Sequence, residues 1–279
     1  MALNDNNSCL LTDNALSLIK KGVLIMIRNR LKELMDVRGL KATRIANDIN
    51  NLSRNTINAT VSNSGKMIQF ETVNLLCQYL GVTPAEFFEY LPFDVDVSID
   101  ADNDPFIDSS DLNVVASDWY IEPFYLNLYL TKTNNNYSAG ESKKTFELSV
   151  ISENEISFNP SNEFGNNNLI MDIPKLKVVL GNPPKEENMK LQKENFLNFW
   201  NNDLTEGFRQ VIQSNIKNSI DNYLIKFQSH IDSVELPQYI SVELPQYISV
   251  SFRFDDFESD YSNLSSGIVM TYQHQQLPF

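Results

Sequence analysis

Cysteine and histidine are almost missing from this chain of 279 residues, with two of each. Cys9 and Cys77 are too few for a disulfide framework or a zinc site. His230 and His274 stand apart, outside any His-Glu-x-x-His pattern, so each is expected at the surface rather than as a base or ligand. Glycine is also scarce, at nine residues, and none of it forms a phosphate-cradling loop. No apolar run approaches the ~18 residues of a membrane span. The stretch from Ala15 to Ile25 is interrupted by Lys20 and Lys21 and lacks the small-residue cleavage site of a signal peptide. These shortages leave no cofactor, metal or membrane partner to expect and no catalytic set to assemble. The expectation is a non-enzymatic, cytoplasmic protein.

Positive charge is short as well, with 22 Lys and Arg against 36 Asp and Glu and a net charge of −14. The deficit is uneven. Residues 26–93 hold eight basic and six acidic residues, net +2, whereas residues 94–279 hold twelve against twenty-eight, net −16. If the chain meets a polyanion, it does so through residues 26–93, because the remainder repels phosphate.

The length suggests two domains at about 100–200 residues each. Residues 1–25 are expected to be an N-terminal extension, and Lys21-Gly22-Val23 is compatible with codons that spell a ribosome-binding sequence ahead of a start at Met26. Residues 26–93 are expected to form an all-α bundle of five helices. Leu31, Leu34, Met35 and Leu40 keep helical spacing, with Gly39 as a stop; Ile45 and Ala46 mark a second helix; Ser53 is an N-cap for a third, Arg54 to about Val61. Val73, Leu76, Cys77 and Leu80 line a fourth, ended by Gly81, which makes Cys77 a small core residue. Thr83-Pro-Ala-Glu86 reads as a capping box that opens a fifth helix through Phe88.

Residues 94–111 contain seven aspartates and no basic residue, and read as a self-repelling acidic linker. Asp100, Asp102, Asp104 and Asp111 imitate part of a calcium loop, but Pro105 stands where such a loop turns on glycine. Residues 112–279 then read as an acidic α+β domain with a mostly antiparallel sheet and a long helical block. Strand alternation is visible at Phe124–Leu130, Phe146–Val150, Ile156–Phe158, Leu176–Leu180, Ile248–Phe254 and Ile268–Met270. Phe196, Trp200, Leu204, Phe208, Ile212, Ile216, Ile220 and Leu224 recur every four residues, as one long helix or two meeting near Gly207. The octapeptide Ser233-Val-Glu-Leu-Pro-Gln-Tyr-Ile240 repeats letter for letter as 241–248. A perfect pair reads as recent slippage in the gene, with one copy expected in the sheet and the other as an extended loop or edge.

Three stretches carry a resemblance: Ala46 in the second helix, Ser53-Arg-Asn-Thr-Ile57 opening the third, and Glu71-Thr-Val-Asn-Leu-Leu-Cys-Gln-Tyr-Leu-Gly-Val-Thr-Pro-Ala-Glu-Phe-Phe88. Residues 27–88 resemble the Cro/C1-type, phage-repressor-like helix-turn-helix family. The turn Ile49-Asn-Asn-Leu-Ser53 is one residue longer than usual, with asparagine standing where the family often has glycine and able to adopt the left-handed conformation. The resemblance implies double-stranded DNA as partner, bound at a short inverted repeat by a homodimer.

The residues agree on their own terms. A helix can enter the major groove if one face anchors it and the other carries hydrogen-bonding side chains. On the third helix Ile57 and Val61 anchor, while Arg54, Asn55, Asn58 and Ser62 project outward; Arg54 suits guanine, Asn55 or Asn58 suit adenine, and Ser53 and Thr56 suit phosphate or base edges. Thr43 and Arg44 are expected over the phosphate backbone, and Asn63 and Lys66 on the opposite strand. The expected function is a sequence-specific transcriptional regulator, a repressor of a phage or bacterial mobile element, with the acidic domain dimerising or sensing a protein partner. The alternative is an inhibitor similar to anti-CRISPR proteins, in which the acidic domain is the effector and the helix-turn-helix regulates its own operon. A Ser/Lys self-cleaving repressor domain is not expected: Ala139-Gly140 is present, but no Gly-x-Ser-Met follows.

Overall fold

The computed structural model describes residues 27–63, 67–100, 106–107, 119–136, 140–160, 167–182, 185–233, 240–257 and 264–272. The N-terminal extension with its start at Met26, and also Cys9, Lys66, Asp102, Asp104, Asp111 and His274, lie outside the described residues. Strand β1 (Ile27–Asn29) leads into three short helices, α1 (Leu31–Val37), α2 (Ala42–Asp48) and α3 (Arg54–Val61). The longer α4 (Phe70–Leu80) follows, then the single turn α5 (Pro84–Phe87) and strand β2 (Phe88–Tyr90).

The local signals act where they stand. Gly39 and Gly81 take φ of 60° and 65°, the left-handed backbone that ends α1 and α4. Thr83 and Glu86 form the reciprocal capping box, with Pro84 at the first helical position. Backbone and hydroxyl donation from Thr83 holds the Glu86 carboxyl below its ordinary range. Leu31, Ile45, Ile57, Leu76 and Phe87 make a small buried core, into which Cys77 also packs; burial pushes its thiol up and keeps it protonated.

The expectation of five helices in an all-α bundle needs correction. The helix-turn-helix region is about three helices, α1 to α3, and the fifth element is one turn that passes straight into β2. Residues 27–29 extend instead of opening a helix, and β1 pairs antiparallel with β2, Ile27 opposite Tyr90. The turn between α2 and α3 needs no left-handed asparagine either: Ile49 is extended at φ −112°, ψ 103°, and neither Asn50 nor Asn51 takes a positive φ.

The second part is built around β3 (Asp94–Ile99), β4 (Phe106–Ile107), β5 (Trp119–Ile121), β6 (Phe124–Asn136), β7 (Gly140–Ser152), β8 (Ile156–Pro160), β9 (Asn167–Met171) and β10 (Lys175–Leu180). Helix α6 (Glu186–Asn198) runs through a π-helical turn, Phe199–Asp203, and a break at Leu204 before α7 (Glu206–Ser233). Strands β11 (Ile240–Glu243), β12 (Ser249–Phe257), β13 (Ser265–Ser266) and β14 (Val269–Tyr272) complete it. One sheet has the order β12-β10-β7-β6-β13 with β3 added to β6; another has β11-β9-β8-β5-β14-β4. The long β6–β7 hairpin sets the inward register, Leu126 opposite Val150, Leu128 opposite Leu148 and Leu130 opposite Phe146. Strand pairs β10–β12, β9–β11, β6–β13 and β4–β14 run parallel, the others antiparallel.

Both sheets and the helical block share one large core. All eight residues of the four-residue series from Phe196 to Leu224 are buried. The π turn widens the helix so that Phe196, Phe199 and Trp200 all point inward, where Phe199 stacks on Phe146 at 4.7 Å and Trp200 meets Phe254 at 4.7 Å.

The acidic linker also needs correction. Residues 94–99 form β3, paired with β6 from Asp94–Thr133 to Ile99–Leu128, and Val95 is fully buried. Alternation of aspartate with Val95 and Val97 is a half-buried strand pattern, and the aspartates take its outer face. Leu91 and Phe93 belong to the large core, so it begins before residue 94. In the octapeptide pair, β11 straddles the junction and pairs with β9, Val242 opposite Leu169.

Candidate nucleic-acid interface

Helix α3 is held from both ends. Ser53 caps its start, the hydroxyl accepting from the Thr56 amide at 3.0 Å and meeting the Thr56 hydroxyl at 2.8 Å. Leu52, Ile57 and Thr60 are buried beneath it, and Thr60 Oγ1 donates to the Thr56 carbonyl at 2.8 Å. At its end Asn63 turns left-handed at φ 51°. The Asn63 side-chain oxygen accepts from the Asn29 amide at 2.9 Å, and its Nδ2 donates to the Asn29 carbonyl at 3.0 Å. Asn29 Nδ2 in turn donates to the Thr60 carbonyl at 2.9 Å. The helix is thereby fixed to β1.

Arg54, Asn55 and Asn58 are exposed, and their side chains form no hydrogen bond with any described residue. Ser53, Thr56 and Ser62 are exposed on the same element, with the Ser62 hydroxyl donating to the Ala59 carbonyl at 3.1 Å. Thr43 and Arg44 are exposed on α2; Arg44 Nε lies 3.7 Å from Asp48, which also accepts from the Tyr79 hydroxyl at 2.6 Å. That hydrogen bond to Asp48 raises the Tyr79 phenol above its ordinary range. Asn63 is half-buried rather than exposed, and its amide is engaged by Asn29 at both the oxygen and the nitrogen. The sequence carries the signal, an asparagine just past a helix end, where left-handed caps are common.

Two groups have no signature in the sequence pattern. Lys32 on α1 is exposed and makes no ion pair among the described residues. Arg28 is buried, its side chain 8% exposed, and joins the small helical unit to the acidic domain. Its guanidinium pairs with Glu33 and, at 2.8 Å, with Glu89; Glu89 also accepts from Thr205 Oγ1 at 3.2 Å. The guanidinium lies 5.9 Å above the Phe208 ring and packs against Gly207, where a Cβ would fall 1.1 Å from Nη1. Periodicity cannot announce such a contact, because Gly207 and Phe208 lie more than a hundred residues from Arg28 in the chain.

Next to this junction a cleft of about 1260 Å³ separates α3 from α7. Thr56, Ala59 and Ser62 of α3, Gln210, Val211, Ser214 and Asn215 of α7, and Lys32 of α1 are among the residues that line it. A separate apolar groove of about 740 Å³ follows α4 past Phe70, Val73, Val82 and Pro84.

Residues 30–92 match the family model of the Cro/C1-type HTH DNA-binding domain, and the N-terminal part of the chain is of that type. No curated protein and no solved structure matches the chain. No helix among the described residues is long and apolar enough to cross a membrane.

Proposed function

We propose that the protein is a sequence-specific transcriptional regulator, a repressor belonging to a phage or bacterial mobile element, that binds an inverted repeat as a homodimer. One observation carries the reading: an N-capped helix, anchored by Ile57 and Thr60, turns Arg54, Asn55 and Asn58 outward with no side-chain partner among the described residues. Those side-chain types in that setting suit major-groove edges, arginine for guanine and asparagine for adenine. Thr43, Arg44, Ser53, Thr56, Ser62 and Lys66 are assigned phosphate or base-edge contacts. The role is one of binding, with no catalytic step assigned to either part.

The apolar groove along α4 supports dimerisation, since Phe70 in its lining is 94% exposed and an apolar surface of this kind is usually covered by a partner. Selection of bound sequences from a random DNA pool tests the reading. A defined motif is expected. Arg54→Ala with Asn55→Ala should weaken binding by about 1–3 kcal/mol for each base that these side chains read, and relax the motif at the matching positions. Recovery of no motif, or an unaltered motif with the double variant, refutes it.

A further inference from the structure

From Gly207 to Ile220, α7 contains no Asp or Glu, although residues 94–279 hold twenty-eight carboxylates. Arg209 and Lys217 are the charged residues in that stretch. The carboxylate-free stretch is the part of α7 that faces the third helix. Across the cleft stand Thr56 and Ser62, and the described lining carries only three charged residues: Arg28 and Glu33, which pair with each other, and Lys32. A domain built to repel phosphate thus turns an uncharged, hydrogen-bonding wall toward the one helix suited to enter DNA.

When a helix lies in the major groove, a phosphodiester strand passes along each of its flanks. On the flank that bears Thr56 and Ser62, the space available is this cleft. We infer that the sugar-phosphate backbone of one strand of duplex DNA runs between α3 and α7, contacted by Lys32 of α1 and by Gln210, Ser214 and Asn215 of the acidic domain. The inference rests on the DNA-binding reading and extends it: the second domain is a direct participant in DNA binding, and neutral side chains on α7 replace the acids that would expel the strand.

The test uses the full chain and its selected DNA site, with affinity measured from 50 to 200 mM salt. Ser214 is exposed and its hydroxyl turns back on the Gln210 carbonyl at 2.9 Å, so replacing it leaves the core intact; matched thermal melting points check this. Ser214→Lys adds one phosphate contact and should steepen the slope of log affinity against log salt by about 0.9, with several-fold tighter binding at 50 mM. Gln210→Glu should weaken binding about tenfold on specific and random DNA alike, as expected of a backbone contact. Lys32→Ala should flatten the slope by about 0.9. Ser229→Lys, about 22 Å further along the same helix, adds equal charge more than one Debye length away even at 50 mM salt and should leave the slope unchanged.

If wild-type protein binds DNA but Ser214→Lys leaves the slope unchanged, or changes it no more than Ser229→Lys does, the strand does not enter the cleft. Weaker binding by Ser214→Lys means that α7 obstructs DNA, and also overturns the inference. If wild-type protein selects no DNA at all, the regulator reading fails and takes this one with it.

Discussion

The two parts of the molecule solve stability in opposite ways. The small helical unit relies on local devices: Ser53, Thr83 and Glu86 at helix starts, Gly39 and Gly81 at helix ends, and a thin core around Leu31, Ile57 and Leu76. The acidic domain relies on distance-spanning ones: a hairpin of two thirteen-residue strands, two six-stranded sheets, and an aromatic cluster fed by the π turn between α6 and α7. A unit stabilised locally can leave one whole helix face uncommitted, and α3 does so. A domain stabilised by long-range packing commits most of its apolar surface, and its exposed carboxylates keep it away from phosphate except along the start of α7.

The sharpest way to separate the two is through the larger core. Phe196 is fully buried between Phe146, Phe199, Trp200 and Phe254. Phe196→Ala should lower the stability of the acidic domain by about 3–5 kcal/mol. Denaturant titration followed by tryptophan emission, from Trp119 and Trp200, reads that domain alone, because the helical unit has no tryptophan. An equal loss of helical-unit structure at the same denaturant concentration would mean that the two units fold as one.

A smaller effect, expected at the junction, tests that coupling directly. Arg28→Ala leaves Glu33 without its guanidinium and Glu89 with only the longer pair to Arg30 Nε, at 3.5 Å. The cost should be about 2 kcal/mol, below the ~3–5 of a fully buried pair because Glu33 is 33% exposed. A single unfolding transition in wild type that becomes two in Arg28→Ala identifies this contact as the link; one unchanged transition rules that out.

The smallest effect concerns pH and only the acidic domain. Burial raises the Asp221 carboxyl on α7 above its ordinary range. A raised folded-state value favours the protonated form, so the associated stability is present below the unfolded value of ~3.9 and is lost as pH rises through the folded value. Asp221→Asn should therefore raise the melting temperature at pH 7 slightly and leave it unchanged below about pH 4. A drop at pH 7 would indicate that the ionised carboxylate has a partner of its own.

Legibility follows the same divide. Helix caps are written in adjacent residues, so Ser53, Thr83, Glu86, Gly39 and Gly81 can be placed from sequence, and the exposed set Arg54, Asn55 and Asn58 comes with them. The strands of the acidic domain are visible through alternation at Phe124–Leu130 and Leu176–Leu180, and the helical block through its four-residue series. What alternation cannot state is the neighbour. Nothing in the aspartates of 94–99 says that β6 will pair with them, and nothing announces the β1–β2 ribbon, three residues joined to three across sixty. The bonds between Asn63 and Asn29 are equally illegible, because the two residues stand far apart in the chain. Lys32 and the α7 wall are out of reach for a related reason: the cleft belongs to two elements that only tertiary packing brings together.

The octapeptide pair lets one strand draw on two repeats at once. Strand β11 begins on Ile240, the last residue of the first copy, and continues through Ser241, Val242 and Glu243, the first three of the second. Deleting the first copy would set Asp232 directly before Ser241, so an aspartate would replace the isoleucine that opens the strand opposite Asn167 of β9.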